Sequence, residues 1–482
     1  MNLALFVIVP LACVFLIVLL ARRFKALSDI LANTAALFLL LLACFSLKQV
    51  AAQGVLTYNI SGWAPPIGIA LVMDGLSAFM LLTVNLVAFL AMIYAISYMR
   101  RYTEKWKFHA LFLMMLTGMN GVILSGDLFN LYIFIEVASI SGYALVAFGT
   151  QAEDLEAAFK YAIMGALASI FVLLGIALLY SHTSTLNMAD IALSLAAKPR
   201  GILINFISVL FLAGFGLKAA IVPFHAWLPD AHSSAPSPVS AVLSGVFIKT
   251  LGVYALARVF FNIIGISAQL FYVLMILGIL SMAIGAFLAV AQNDIKRMFA
   301  YSSISQVGYI IFALGIASPL AIFGALLHLF NHAVLKSLLF LNAGTIEYAT
   351  DTRSLKGLGG LNDKLPVASV SSLVASMSIS GIPPLGGFWS KLIIIIAAVQ
   401  AGYFNFALVA VLVSVVTLVY YLKFYNTVFL GSLNAAIAEV KAVPFTMKFS
   451  LVALAIISLI AGGVLLPGLR IYLQAAANVL MR

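Results

Sequence analysis

The stretch Gly214–Gly252, GFGLKAAIVPFHAWLPDAHSSAPSPVSAVLSGVFIKTLG, sets two lysines, Lys218 and Lys249, in otherwise apolar sequence on either side of a segment with four prolines and two histidines. Proline lacks the backbone donor and its ring clashes with the preceding turn. Pro223, Pro229, Pro236 and Pro238 therefore rule out one continuous helix here. In lipid, non-helical backbone persists only where protein or a watery cavity satisfies it, and an ionisable side chain beside it marks a functional site by default. The stretch reads as an element of an ion pathway.

Composition supplies the membrane. Of 482 residues, 64% are hydrophobic and 9% charged, with a mean hydropathy of +1.17, whereas soluble domains carry roughly 25% charged residues. The chain is expected to be an all-α, polytopic integral membrane protein. The net charge of +11 belongs to its loops and does not imply nucleic acid. Cys13 and Cys44 both lie in apolar runs, so no disulfide framework, CxxC pair or iron–sulfur spacing exists, and neither a redox centre nor a bound cofactor is expected. The first run, Leu3 to Leu20, has its basic residues after it and no small-residue cleavage site, so it reads as a retained helix.

A hydrocarbon core of about 30 Å takes about 20 apolar residues per helix. Fourteen spans fit: 3–20, 27–47, 72–98, 109–125, 128–149, 160–180, 202–222, 238–260, 266–290, 299–316, 319–345, 366–400, 405–430 and 449–467. Span 12 is overlong and contains Gly381-Ile-Pro-Pro-Leu-Gly-Gly387, so it should be broken as span 7 is. Five lysines fall inside spans: Lys218, Lys249, Lys336, Lys391 and Lys423. Of the other 21 Lys and Arg, fifteen follow odd-numbered spans, among them Arg22, Arg23, Lys25, Arg100 to Lys107, Lys160, Lys296 and Arg297. Six, Lys48, Lys198, Arg200, Arg258, Arg470 and Arg482, lie on the other side. The positive-inside rule then puts the odd loops in the cytoplasm and both termini outside.

Spans 7 and 12 are each interrupted near a lysine and lie five spans apart. An odd offset inverts the second copy, the logic of inverted repeats in transporters. The expected organisation is 1–108 (spans 1–3), a first five-helix repeat at 109–260 (spans 4–8), a second, inverted repeat at 261–430 (spans 9–13), and 431–482 with span 14 and a tail.

Several charges lie inside these spans. Glu136 sits near the middle of span 5, with Tyr132 one turn before it and Tyr143 two turns after. A buried carboxylate requires a proton or a cation, and Lys218 is the expected partner. The pair has two readings, a structural tie between helices or a switch whose strength follows the lysine's proton. Lys249 has no acidic neighbour within eight residues and falls mid-span, the alternative being a side chain that snorkels to the surface. In span 11, His328, His332 and Lys336 recur at i, i+4 and i+8, so they form one polar stripe, and imidazoles and an amine aligned inside a membrane suit a proton relay. HLFNH offers two zinc ligands but has Leu329 where the glutamate of HExxH would stand, so no metal is expected. Ser302, Gln306 and Tyr309 form an uncharged stripe in span 10, explained equally by held water or by helix-to-helix hydrogen bonds. Gly214 to Ala219 matches GxGxxA without a preceding strand, so it is no dinucleotide fingerprint. No GxxxxGK[ST] loop is present for ATP.

Four motifs carry a resemblance: GDLFNLYIFIE (126–136), LKAAIVPFHAWLPDAHSSAPSPVSAVLSGVFIK (217–249), HLFNHAVLKSLLFLNAG (328–344) and GIPPLGGFWSK (381–391). In this order they resemble the antiporter-like subunits shared by respiratory complex I, membrane-bound hydrogenases and Mrp-type sodium/proton antiporters, over about spans 3 to 13. The DLFNLYIFIE stretch looks most like the D-type Mrp subunit and its hydrogenase counterpart. The resemblance implies a buried proton-conducting axis of Glu136, Lys218, Lys249 and Lys391, with His328, His332 and Lys336 as connectors. Lys391 stands where one complex I subunit type has glutamate. The implied function is a proton-translocating subunit in the cytoplasmic membrane, partnered by other membrane subunits and carrying protons or sodium. Its complex would be a redox-driven, complex I-like or hydrogenase-like translocase, or alternatively an Mrp antiporter in which this chain is the D-type subunit. A stand-alone transporter of a small solute is a further class, disfavoured because the charges form a row rather than lining a substrate cavity.

Overall fold

The computed structural model describes residues 2–481 except 22, 23, 25, 198, 199, 266, 435, 436, 438 and 464–466. Arg22, Arg23, Lys25 and Lys198, counted in the charge bias, and Arg482, placed outside, lie outside the described residues.

Six helices open the chain: α1 Leu5–Leu20, α2 Leu27–Gln53, α3 Gly75–Tyr98, α4 Lys105–Leu124, α5 Leu128–Val146 and α6 Ala152–Thr183. A short α7, Met188–Ala196, follows, then α8 Ile202–Ala219, α9 Trp227–Ser234 and α10 Ser237–Ile264. The remainder is α11 Ala268–Val290, α12 Ile295–Ile316, α13 Pro319–Thr350, α14 Pro366–Ser380, α15 Gly386–Gln400, α16 Phe404–Phe429, α17 Phe445–Ala461 and α18 Pro467–Leu480. Eleven helices are long and apolar enough to cross a membrane, and α1, α14, α15 and α17 are shorter apolar helices. With α14 and α15 as halves of one crossing, the described residues make fourteen crossings, each overlapping its predicted span.

Local sequence explains where helices begin. Asp74, Asp127 and Asp294 each accept a backbone N–H from the first turn of α3, α5 and α12, and Ser318 does the same before Pro319 at the start of α13. These caps also move several predicted edges. Residues 70–73 form a strand, β2 (Ala70–Met73), paired antiparallel with β1 (Leu56–Asn59), so span 3 starts after Asp74 and not at 72. Capping by Asp294 starts α12 at Ile295, which puts Lys296 and Arg297 on the helix rather than in the loop where the apolar run left them. Span 14 ends at Ala461, and its predicted tail falls partly in the separate helix α18.

Both predicted breaks are present. α8 stops where Ala220 turns left-handed (φ 54°), and backbone groups freed on either side of it find side chains: Val222 N–H donates to Ser281 Oγ at 2.9 Å, and Leu217 O accepts from Trp227 Nε1 at 3.1 Å. Between α14 and α15, Gly381 adopts φ 91°, Gly387 N–H donates to Ser378 Oγ at 3.2 Å, and Asn331 Nδ2 donates to Gly386 O at 2.8 Å. A methyl on Gly387 would sit 1.8 Å from Ser378 O, so only glycine lets the second half return over the end of the first.

The centre of the bundle is α10, buried along its length except at Arg258, Phe261 and Asn262 near its end, and packed against α3, α8, α12 and α13, while α2 and α16 turn most of their surface outward. α10 is not a regular α-helix. Leu243–Phe247, Lys249–Tyr254 and Arg258–Ile264 wind as π-helix, which a 3.6-residue reading of the sequence does not reveal.

Candidate proton pathway

At one side of the bundle, α5 presents Glu136 to Lys218, the last-turn residue of α8 before its break. The Lys218 ammonium is buried and stands 3.8 Å from Glu136 Oε1, but its hydrogen bond goes to Ser139 Oγ at 2.9 Å. The Glu136 carboxylate in turn accepts a hydrogen bond from Ser169 Oγ of α6. Glu136 keeps 26% of its side chain exposed, so the pair has an outer, carboxylate end and an inner, ammonium end. Nearby, Tyr143 meets Tyr161 edge-on, and Tyr161 stacks on Trp227 at 4.3 Å, which ties the displaced half-helix α9 to α5 and α6.

The next lysine inward is Lys249. α8 and α10 touch where Gly252 faces Ala219: a methyl on Gly252 would lie 2.4 Å from Ala219 N. Three residues back, Lys249 is fully buried and donates to Ser244 O and Gly245 O, each at 2.6 Å, the carbonyls one turn back along its own π-wound helix. Its contacts are backbone dipoles, not a carboxylate, and the snorkelling alternative is excluded by its burial.

On the far side of Lys249, α13 crosses so closely that a methyl on Gly245 would meet Ser337 Oγ and Ala333 O. His328, His332 and Lys336 are all buried along this face, as their spacing predicts. The two imidazoles lie nearly parallel with centroids 6.2 Å apart, and His332 is within electrostatic reach of Lys249, Lys336 and Lys391. Lys336 donates to Phe299 O at 2.9 Å and Tyr421 Oη at 3.1 Å. His328 Nδ1 bonds Ser390 Oγ at 2.9 Å, the residue beside Lys391. Lys391 lies 4.8 Å from the centre of the Tyr309 ring, with no hydrogen-bond partner for its ammonium among the described residues. Both nitrogens of His332 and Nε2 of His328 likewise have no protein partner there. Buried polar groups are bonded to protein or to ordered water almost without exception, so this cluster fits a hydrated segment. The seven residues thus fall into two groups, Glu136 with Lys218 and Lys249 with His328, His332, Lys336 and Lys391, in a row whose halves meet where α8 touches α10 at Ala219 and Gly252.

The uncharged stripe of α12 splits. Ser302 joins Tyr420 and Tyr421 at 2.7 and 3.0 Å, and Tyr309 donates to Ala410 O at 2.5 Å, so these two serve helix-to-helix bonding, with Tyr309 also forming the floor under Lys391. Lys423, counted among the intramembrane lysines, is not in the row: it donates to Val290 O and Gln292 O, at the turn between α11 and α12.

Three features escaped the sequence. His232 is fully buried between Trp227 and Phe340, beside the row. Lys296, 2% exposed, pairs with Glu347 at 3.4 Å and donates to Ala235 O at 3.0 Å. At the opposite end of the bundle, Arg258 pairs with Asp74 at 2.5 Å. No local signal links Arg258 to Asp74, which are 184 residues apart. An aspartate at an N-cap and an arginine near a helix end each read as ordinary boundary residues.

A fourteen-crossing bundle with two broken helices and a row of buried lysines defines a class, the antiporter-like membrane subunits. Comparison with known proteins agrees: residues 125–417 match the family described as "NADH:quinone oxidoreductase/Mrp antiporter, TM", and residues 64–109 match that described as "NADH-Ubiquinone oxidoreductase (complex I), chain 5 N-terminus". The chain belongs to this NADH:quinone oxidoreductase/Mrp antiporter family. It is 38% identical over 401 residues to the N-type subunit of the NADH-quinone oxidoreductase of Desulforudis audaxviator, covering 82% of this chain and 80% of that one. It is 32% identical over 478 residues to the D-type subunit of the Na(+)/H(+) antiporter of Alkalihalophilus pseudofirmus, covering 98% and 97%. Among solved structures it is similar to a chain of the Mrp complex of Dietzia sp. (TM-score 0.92, 28% identity, 99% and 97% covered). It is also similar to a chain of an archaeal membrane-bound sulfane sulfur reductase (TM-score 0.91, 30% identity, the same coverage).

Proposed function

We propose that this chain carries protons across the cytoplasmic membrane as one subunit of a multisubunit ion pump. The observation that carries this reading is the position of Lys218. Its buried ammonium sits between the Glu136 carboxylate and the Ser139 hydroxyl, bonded to the second and 3.8 Å from the first. Movement of the side chain by about an ångström exchanges a neutral partner for an anionic one, and an anion at contact stabilises the protonated lysine. A proton gained or lost at Lys218 then passes through Lys249 and the His328–His332–Lys336 face of α13 to Lys391, where the break before α15 brings water to exchange with one side.

In this reading α4–α10 and α11–α16 are the two inverted repeats, with the breaks at 220–226 and 381–385 in corresponding members. The odd loops face the cytoplasm and the termini face outside, so the end with Asp74 and Arg258 is the outer one. The driving force comes from neighbouring subunits. A redox-driven translocase is the first assignment. The second is the D-type subunit of a sodium/proton antiporter, which the match over 98% of this chain and 97% of the relative favours. Purification of the intact complex separates them: iron–sulfur or quinone-reactive subunits identify the first, small hydrophobic subunits without a redox centre the second. In proteoliposomes of that complex, Lys218→Ala should abolish proton uptake seen by a gradient-reporting dye. Normal uptake in intact complexes would refute the reading.

A further inference from the structure

At the end of the bundle where Arg101 and Lys441 reach Asp351, most basic side chains hold a carboxylate. Lys105 is paired with Asp29, Lys160 with Glu156 and Asp230, Arg297 with Asp230, and Arg353 with Asp294. Lys364, just before α14, and Lys448, one turn into α17, differ: both are exposed, and among the described residues neither makes an ion pair. Even Asp363, next to Lys364, is bonded by Asn362 Nδ2 at 3.1 Å and lines no part of the space beside the lysine.

Exposed lysines at a membrane boundary are ordinary, because their stems lie along apolar surface while the ammonium reaches water. What distinguishes these two is the space between them. They line one cavity of about 210 Å³ together with Thr345, Val367, Val443 and Leu451, and among the described residues no carboxylate lines it. Its walls are the first turn of α14, the approach to α17 with its first two turns, and α13, three helices that pack on one another. Leu365 and Pro444 stand at the N-cap positions of α14 and α17, and neither start has a side-chain cap, so free backbone donors and the positive ends of two helix dipoles add to the charge that the lysines supply. The surface that continues from the cavity is apolar. α14 exposes Val370 and Leu373, and its neighbour α17 exposes Phe449, Val452 and Ile456, residues three or four apart and so on one face of each helix.

We infer that this cavity binds the headgroup phosphate of an anionic phospholipid, whose acyl chains lie along the outward faces of α14 and α17. Lys364 and Lys448 meet the phosphate charge, and Val367, Val443 and Leu451 meet the glycerol end of the chains. A cationic pocket that opens onto a paired apolar strip suits a molecule with an anionic head and hydrocarbon tails, whereas a soluble anion would leave the strip unused. With this end assigned to the cytoplasm, the lipid belongs to the leaflet whose surface carries the negative potential and whose headgroups seek basic pockets between helices. The site holds the start of α14, the half-helix that leads to the break at Gly381, against α13 and α17. It does not depend on which ion the row carries.

Photolabelling of the intact complex tests this. In nanodiscs of unlabelled phosphatidylcholine, a trace of phosphatidylglycerol with a photoreactive group in its acyl chain should leave adducts on the α14 and α17 peptides, located by digestion and mass spectrometry. The yield there should exceed that of the matching phosphatidylcholine probe by roughly 30-fold, about fivefold for each lysine beside the phosphate. In the complex carrying Lys364→Gln and Lys448→Gln the preference should disappear, while labelling elsewhere on the chain and the melting temperature stay at wild-type values. Lys364→Arg with Lys448→Arg should keep it, and an excess of inorganic phosphate should not compete. Equal labelling by the two probes, or an unchanged preference in the glutamine variant, would overturn the site. Displacement by inorganic phosphate would overturn it in favour of a free anion, and no adducts from either probe would show that a neighbouring subunit covers the cavity instead. Should the glutamine variant not assemble, the comparison of the two probes on the wild type decides alone.

Discussion

Lys218 Nζ donates to Ser139 Oγ at 2.9 Å and leaves Glu136 Oε1 at 3.8 Å, so this lysine, with a carboxylate beside it, is bonded to a hydroxyl instead. Glu136 and Ser139 are three residues apart on α5 and therefore neighbours on one helix face. The ammonium thus has two partners of different charge within a short swing of its side chain.

Removing either member of this pair should stop transport without removing the subunit. Glu136→Gln keeps the bond from Ser169 and loses the charge. We expect proton uptake to fall by roughly 10²-fold, the scale of losing a positioned proton-transfer group. Breaking a buried pair also costs about 3–5 kcal/mol when it leaves a charge alone, so subunit content on a native gel must accompany the assay. Uptake near the wild-type rate in intact Glu136→Gln complexes would make the pair a structural tie.

Lys391 is expected to distinguish exchange from charge. Lys391→Arg preserves a cation that never releases its proton, whereas Lys391→Glu restores a titratable group. The arginine variant should be the more completely blocked of the two, measured with a gradient dye in assembled complexes. Equal and near-normal rates would place the exit elsewhere.

Gly252 should be intolerant of even one methyl. Its added Cβ would lie 2.4 to 2.5 Å from the backbone and side chain of Ala219. Because α8 ends there, the strain displaces the turn that carries Lys218. We expect Gly252→Ala to destabilise the fold by about 1–3 kcal/mol, the usual range for overpacking, visible as a lowered melting temperature together with reduced uptake. An unchanged melting temperature would contradict the close approach.

At Asp74 the expected signature is a pH dependence. Burial alone would raise its carboxyl, but the Arg258 charge and hydrogen bonds from Arg258 and Ser77 hold it below the ordinary value of 3.8. A carboxyl lowered in the folded state adds stability that is complete above its unfolded value and is lost as pH falls through the folded one. The difference in melting temperature between the wild type and Asp74→Asn should therefore be constant from about pH 8 to 5 and close only under about pH 4. A difference that already shrinks between pH 7 and 5 would show that the pair does not control this carboxyl.

Orientation is open to direct labelling. In a variant without Cys13 and Cys44, Thr103→Cys should react with an impermeant thiol reagent only in inside-out vesicles, and Asn2→Cys only in intact cells, because the basic loops are assigned to the cytoplasm. The reverse pattern would invert the molecule.

Much of the architecture is legible in the linear chain because lipid enforces it. Helices of fixed minimum length, and breaks where proline and glycine sit beside a lysine, leave few alternatives around 220 and 383. The charged row is legible for a related reason, since any ionisable residue in an apolar run is conspicuous. What is not legible depends on neighbours or on winding. Lys296 lies just before the apolar run that marked span 10, and only its fold onto Glu347 and Ala235 shows it to be buried. Arg258 reads as a boundary cation near the end of span 8 until Asp74 is brought to it. The π winding of α10 is likewise invisible at 3.6 residues per turn, so a helical-wheel reading of this helix misassigns which residues share a face.

The row also has an electrical consequence. In the proposed route, Glu136 and Lys249 stand near the middle of their helices and Lys218 and Lys391 beside the breaks in theirs, so a proton passed among them would travel largely sideways and meet little of the membrane voltage. Nearly all of the work, about 2.3 kcal/mol per charge at 100 mV, falls on the vertical steps that load and empty the row. A voltage imposed across the vesicle should accordingly slow loading and release, and leave the hand-over between Lys218 and Lys249 almost indifferent to it.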